Sequence, residues 1–375
     1  MTQDGRGERR VFHALDGMRG VAAIFVAMRH TYFFHRLGVP GGYLAVDLFF
    51  VLSGFVIAHA YERRLECGLS AGRFLLLRYL RLWPVYVIGA VLGLAAALVH
   101  ALPAHDALTP RQVLQTAPFA LAMLPGPMIK PMLYPVNSVA WSLMLELLVN
   151  AAYAMVWRPL RRPLVLAGVM LVSGLALIAA VLGFGKLDIG FQWSDMIGGL
   201  PRVVFSFSAG LAIHHLYRRP PWRSSAPAWV WVALLPILLC VNPDRVIFPL
   251  ACVFLLFPGL VLMAASAPST GPRLTRLFSA LGAASYPLYA LHKPVGELAY
   301  LGVRDVAPWV LGAWPVLIGM VYLPVMMALC LALERWFDQP ARRALSLVVP
   351  GLASALRGRA GALLYPIGAL LGRRS

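Results

Sequence analysis

Arg19 and His30 lie eleven residues apart in the apolar run Leu15-Asp16-Gly17-Met18-Arg19-Gly20-Val21-Ala22-Ala23-Ile24-Phe25-Val26-Ala27-Met28-Arg29-His30. On a helix, eleven residues return to within about 20° of the starting azimuth and rise about 16 Å, so the two side chains share one face at different depths. Ionisable groups inside a membrane-length apolar helix are costly, and their default reading is a functional site facing the protein interior. An imidazole titrates near neutral pH, which suits it to accept a proton from an attacking hydroxyl. His13, His59, His100, His105, His214 and His215 lack that alignment and read as structural.

Four further stretches carry groups able to do chemistry. Ala45-Val46-Asp47-Leu48-Phe49-Phe50-Val51-Leu52-Ser53-Gly54-Phe55 places Asp47 at one end of an apolar helix. Asp47 either orients an imidazole or binds an acceptor, or it is an acid stabilised by the helix N-terminus. Ser53 and Gly54 read as small residues that let helices approach closely, with a nucleophilic Ser53 as the alternative. In Asn137-Ser138-Val139-Ala140-Trp141-Ser142-Leu143-Met144-Leu145-Glu146, a glutamate sits within an apolar span and must be paired or protonated. It can hold a histidine's positive charge, bind a hydroxyl, or make a structural bond between helices. Arg73-Phe74 and Arg78-Tyr79-Leu80-Arg81-Leu82-Trp83-Pro84-Val85-Tyr86 set Arg78 and Arg81 on one helix face, where guanidinium forks suit phosphate oxygens. Ordinary anchoring by cytoplasmic arginines is the plain alternative for such a cluster. Ser285-Tyr286-Pro287-Leu288-Tyr289-Ala290-Leu291-His292 adds a tyrosine and a second histidine, and Glu334 and Arg342 follow as structural residues.

Leu-Asp-Gly-x-Arg-Gly-x-Ala with a histidine eleven residues after the arginine resembles the opening signature of the membrane acyltransferase-3 family. The Val-Asp-x-Phe-Phe-x-x-Ser-Gly-Phe, Arg-x-x-Arg-x-x-Pro-x-Tyr and Trp-Ser-Leu-x-x-Glu runs extend that resemblance across most of residues 15–343. Met18 stands where the family has leucine, a mild departure. The resemblance implies an integral-membrane O-acyltransferase that moves an acyl group, expected to be acetyl, from cytoplasmic acyl-CoA to a hydroxyl of a glycan, glycolipid or glycosylated metabolite. It implies His30 as the base, with Glu146 or Asp47 stabilising its charge. Arg19, Arg73, Arg78, Arg81 and Tyr86 are expected around the acyl-CoA. Asn137, Trp141, Ser142, Tyr289 and His292 are expected near the acceptor. Direct transfer and an acyl-enzyme on His30 or Ser53 both remain open.

The elements that must position these groups are membrane helices. Of the 375 residues 60% are hydrophobic and only 13% charged, with a mean hydropathy of +0.75, far outside the soluble range. At about 20 residues per span, ten are expected: 14–35, 44–61, 75–99, 137–157, 163–184, 199–216, 227–242, 246–266, 277–302 and 309–334. The expected fold class is therefore an all-α integral membrane bundle. Arginines crowd the N-terminus, the even-numbered connections and the tail, which sets both termini in the cytoplasm, and the family resemblance implies that the membrane is a bacterial inner membrane. Residues 100–136 form a long proline-rich outer loop whose Val113–Leu124 segment is too short to span and reads as re-entrant or interfacial. Residues 1–343 read as one transmembrane domain, and 344–375 as a basic tail lying in the cytoplasm or on the inner leaflet.

The net charge of +18 is explained by those basic loops and not by nucleic acid. The four cysteines have neither metal spacing nor a disulfide framework, and no metal is expected. The first apolar segment is too long and too charged for a cleavable signal peptide. A soluble-type His-x-x-x-x-Asp box, a Gly-x-Ser-x-Gly elbow, a His-Glu-x-x-His helix and an appended hydrolase-like domain are not visible. The lipid bilayer is the evident partner, and a homo-oligomer stays open. The rival reading is a transporter or flippase of a lipid-linked sugar, which would also put buried charges at mid-membrane.

Overall fold

A computed structural model describes residues 12–100, 108–218, 224–241 and 246–345. Arg6, Arg9, Arg10, Arg219, Arg223, the expected turn at 242–245 and the tail beyond 345 lie outside the described residues. The chain folds as helices α1 (His13–His30), α2 (Ala45–Glu66), α3 (Ala71–His100), α4 (Pro110–Leu121), α5 (Ala140–Leu160) and α6 (Pro163–Phe184). It continues with α7 (Met196–Tyr217), α8 (Ala228–Cys240), α9 (Ile247–Ser266, with a π-turn at Cys252–Leu256), α10 (Pro272–Val306), α11 (Pro308–Ala313) and α12 (Pro315–Leu333). Among the described residues the only β-type pairing is an isolated antiparallel bridge between Met132 and Gln192. Proline occupies the first turn of α4, α6, α10, α11 and α12, where its missing N–H is not needed.

The surface has the polarity of a membrane protein. Along α6, Leu164, Leu171, Val172, Leu175 and Leu182 are exposed, whereas Asp47, Arg202 and His292 are completely buried. Apolar side chains outside and charges inside is the distribution that hydrocarbon imposes. Among the described residues, seven helices are long and apolar enough to cross a membrane: Pro40–Glu66, Ala71–Val99, Ala140–Leu160, Pro163–Phe184, Met196–Tyr217, Ile247–Ser266 and Pro315–Leu345. The other three expected spans correspond to α1, α8 and α10. α8 has 13 residues, about 20 Å of helix. α1 and α10 miss on composition, because Asp16, Arg19, Arg29 and His30 interrupt one, and Arg273, Arg276, His292, Lys293 and Glu297 the other.

Two helix pairs organise the bundle, α1 against α10 and α2 against α7. α2 and α7 touch backbone to backbone where Gly54 faces Phe207 and Gly210 faces Val51, and a Cβ at either glycine would overlap the opposing carbonyl oxygen. Gly54 is thus the small packing residue expected of it. α4 lies in the 100–136 connection. It starts with a capping box, Thr109 and Gln112 bonding reciprocally. Its last carbonyls are met from α3: Tyr86 donates to Ala120 (2.8 Å), Trp83 to Leu121 (3.1 Å) and Tyr79 to Ala122 (3.4 Å). Tyr79 and Trp83 sit within the first four turns of α3, whereas Val136, where the connection ends, packs on Gly93 near the far end.

Candidate active site

Two cavities penetrate the bundle and meet. The smaller, about 210 Å³, is lined by Arg19 of α1, Ser53 of α2, Arg78 and Arg81 of α3, Ser142 and Glu146 of α5, and Tyr286 of α10. The larger, about 520 Å³, is lined by Arg29 and His30 at the end of α1, Tyr43, Trp141, Asp188, Phe191 and Lys293. Val46 and Tyr289 line both. Tyr289 is fixed there, its hydroxyl 2.6 Å from that of Ser142 and its ring edge-on to Phe49. One helix thus serves both chambers, with Arg19 in the smaller and His30 in the larger, as their shared face requires.

His30 is exposed within the larger cavity, and its partners define its proton. His292, one turn past Leu288 on α10, points Nδ1 at the Leu288 carbonyl (3.0 Å). A carbonyl only accepts, so that nitrogen carries hydrogen and Nε2 of His292 is a lone pair. Nε2 lies 3.2 Å from Nδ1 of His30, which also lies 2.9 Å from the Val26 carbonyl. Both neighbours accept, so Nδ1 of His30 is the protonated nitrogen and Nε2 is left with its lone pair for the cavity. That is the tautomer a general base needs. Tyr322 in turn donates to the His292 carbonyl (3.1 Å).

The carboxylates are committed elsewhere. Glu146 accepts from Arg78 Nη2 (2.8 Å) and Ser53 Oγ (2.9 Å), so both Ser53 and Glu146 belong to the arginine-lined chamber. Asp47 is gripped bidentately by Arg202, Nη2 at 2.7 Å and Nε at 3.2 Å, with Arg202 Nη1 donating to the Ile189 carbonyl at 2.6 Å. Asp47 and Arg202 line neither cavity, and both are fully buried. No bond between His30 and either carboxylate occurs among the described contacts; the neighbour of His30 is His292. The remaining cations also have partners. Arg81 lies 3.4 Å from Asp338 and over the Tyr286 ring, and Arg19 lies 3.9 Å from Asp16.

A family model described as an acyltransferase domain, that of acyltransferase-3, matches residues 12–335. The chain belongs to that family. This acyltransferase is 43% identical to protein 2 in the picA locus of Rhizobium radiobacter over 155 residues, 38% of this chain and 81% of that protein. It is 28% identical to the exopolysaccharide production protein ExoZ of Rhizobium meliloti over 280 residues, 72% and 80% of the two chains. The peptidoglycan O-acetyltransferase OatA of Listeria monocytogenes is 33% identical over 103 residues, 27% of this chain and 16% of that protein. No solved structure matches the chain.

Of the expected site residues, the acyltransferase gathers Arg19, Arg78, Arg81, Glu146 and Ser142 in the smaller cavity, His30 and Trp141 in the larger, and Tyr289 between. His292 lies behind His30. Asn137 is buried beside them, donating to the Ala290 carbonyl (3.0 Å). Tyr86 lies outside both cavities and holds α4, and Arg73 is exposed at the start of α3. Sequence reasoning missed Arg202, Arg29, Asp188 and Lys293. Arg29 pairs with Asp188 (3.0 Å) and Lys293 donates to Ser138. Arg202 carried a usable signal: a lone arginine within the apolar run 199–216 needs a buried partner, and Asp47 was an available acid.

Proposed function

We propose that this membrane acyltransferase moves an acetyl group from acetyl-CoA, bound from the cytoplasmic side, to a hydroxyl of a cell-surface polysaccharide or lipid-linked glycan. The carrying observation is the pair of abutting cavities, one ringed by Arg19, Arg78 and Arg81, the other holding the free Nε2 of His30, with Tyr289 at their junction. Acyl-CoA is the donor that the chemistry of the smaller cavity fits: guanidinium forks suit its phosphates, and an apolar wall of Phe49, Phe50 and Leu52 suits an uncharged arm. The acceptor belongs to the larger cavity, where Tyr43, Trp141 and Phe191 offer faces for a sugar ring and Arg29, Asp188 and Lys293 offer hydrogen bonds. The names of OatA and ExoZ support an acetyl group and a saccharide acceptor.

In this reading His30 Nε2 takes the acceptor hydroxyl's proton as the oxygen attacks the thioester carbonyl. The C–S bond then breaks, and the departing thiolate recovers that proton from the imidazolium. His292 Nε2 accepts from Nδ1 of His30, fixing the ring's tautomer and sharing the charge it acquires. Glu146 holds Arg78 for the donor and does not serve His30. In this reading the transfer is direct, and the Ser53 hydroxyl, which donates to Glu146, helps to hold that carboxylate beside Arg78.

The same reading has ten spans with both termini inside. The ends of α2, α5 and α7, expected on the cytoplasmic side, meet where Arg161 reaches Glu62 and Glu66, and Arg218 approaches Glu62. At the other side the end of α1 meets the start of α2 and the loop after α6 through Arg29, Pro40 and Asp188. The descent of α4 beside α3 supports a re-entrant segment flanking the site, its otherwise orphaned carbonyls bonded by Tyr79, Trp83 and Tyr86.

The test is CoA release from acetyl-CoA by the purified full-length protein, with a panel of lipid-linked glycans as acceptors. His30→Gln keeps the ring's bulk and hydrogen bonding but cannot take the proton, and it is expected to lower turnover at least ~100-fold while acetyl-CoA binding survives. Undiminished turnover in that variant refutes the assignment of His30. A wild-type protein that binds acetyl-CoA but never releases CoA favours transport.

A further inference from the structure

The α2–α7 pair, locked at Gly54 and Gly210, brings a second cluster together near the Glu66 and Tyr217 ends of these helices, away from both cavities. There Glu62 of α2 faces His214 and His215 of α7. Glu62 Oε2 lies 3.8 Å from His214 Nδ1, and Glu62 Oε1 lies 3.8 Å from His215 Nε2. Glu62 is 5% exposed and His214 4%, yet Glu62 Oε2 and His214 Nδ1 have no hydrogen-bond partner. Two polar atoms buried without partners, aimed at each other but beyond hydrogen-bond reach, are an expense that apolar surroundings do not offset. Nothing in the acyl-transfer chemistry uses them.

We propose that Glu62, His214 and His215 bind one divalent transition-metal ion of the zinc type. The three candidate donor atoms lie within 4.8 Å of one another. A point within about 2.8 Å of all three therefore exists, and inward movements of about 0.7 Å reach zinc's usual 2.0–2.1 Å bond lengths. Two imidazoles and one carboxylate suit this class of ion better than Ca²⁺ or Mg²⁺, which prefer all-oxygen shells. Both adjacent histidines can serve because Glu62 lies between their directions, one oxygen facing each.

The neighbouring charges permit a cation. Arg161 Nε holds Glu62 Oε1 at 2.8 Å and Arg161 also pairs with Glu66, so two carboxylates share one close guanidinium and Oε2 is left for the ion. Arg218, 3.8 Å from Glu62 Oε2, has a side chain 62% exposed and is free to turn to solvent. A cavity of about 420 Å³ lined by Arg161, Leu166, Met170, His215 and Arg218 gives an ion and its remaining water ligands a way in. A bound ion would pin α2 to α7 beyond their glycine crossing, on the helix that carries Ser53.

The experiment uses the full chain in detergent with any histidine tag removed, equilibrated with Zn²⁺, freed of excess, and assayed for metal by mass spectrometry; Co²⁺ gives the visible spectrum of the site. One Zn²⁺ per chain and a Co²⁺ d–d band are expected. His215→Ala should weaken Zn²⁺ about 10-fold or more, and His214→Ala with His215→Ala about 100-fold or more, with an unchanged size-exclusion profile. Glu62→Gln also unpairs Arg161 and threatens folding, so the half-exposed His215 carries the test. Fewer than about 0.2 Zn²⁺ per folded chain, or equal affinity in wild type and the double variant, overturns the proposal and leaves the cluster as an ion-pair hub.

Discussion

Asp47→Asn separates a structural from a chemical role for the most deeply buried carboxylate. Asp47 and Arg202 are both fully buried, joined by two bonds of 2.7 and 3.2 Å, and the third arm of Arg202 keeps the Ile189 carbonyl at 2.6 Å. The amide removes the charge and one of the two acceptor oxygens, leaving a guanidinium in an apolar interior with at most two of its three anchors. Breaking such a pair from one side costs about 3–5 kcal/mol in soluble proteins. In a bilayer the unfolded helices also find polar partners, which favours the low end, about 3 kcal/mol. At roughly 2–4 °C per kcal/mol for medium-sized domains, and less for a longer chain, the melting temperature should fall by about 4–8 °C.

Asp47→Leu combined with Arg202→Met replaces both charges with apolar groups of similar volume. It should regain most of that loss, because no charge is left unpartnered and only the Ile189 carbonyl loses its donor. The assays are thermal loss of the monodisperse peak in detergent and CoA release well below the melting point. A structural pair predicts that activity follows the folded fraction and returns in the double variant. An unshifted melting temperature for Asp47→Asn, with turnover lowered 100-fold, would refute the reasoning and return Asp47 to the chemistry of His30.

Arg81→Ala should raise the acetyl-CoA concentration needed for half-maximal CoA release about 10-fold or more, through one lost charge-assisted contact, and should narrow the difference between CoA and dephospho-CoA thioesters. Identical responses to the two donors would mean that Arg81 does not read the 3′-phosphate. Reporter fusions after Gly126 and after Pro268 should report opposite compartments, Gly126 outside, and a shared compartment would overturn the ten-span order. His13→Ala should leave turnover within a few-fold of wild type, because its described hydrogen bond, to Ser279, lies at an exposed position away from both cavities.

The spacing of Arg19 and His30 was legible because a single helix fixes it: azimuth and rise follow from the count between them, wherever the helix packs. The partners were not legible, because each is chosen by tertiary packing across a long sequence separation. His30 meets His292, 262 positions away, and Arg202 meets Asp47 across 155. Hydropathy likewise fails at α1 and α10, because Arg19, His30, His292 and Lys293 line or back the cavities and lower the apolar average of their helices. The same cause separates expectation from geometry at the arginines. Their spacing marks an anion site but says nothing of counterions, and the structure supplies one for each: Glu146 for Arg78, Asp338 for Arg81, Asp16 for Arg19. Three guanidiniums can then stay in a partly desolvated chamber without a ligand, since each charge is already balanced. An arriving phosphate must exchange with these carboxylates and not simply fill a positive hole. Arg78→Ala is therefore a poor single probe of donor binding, because it strands Glu146, whereas Asp338 keeps Arg342 at 2.8 Å when Arg81 is lost.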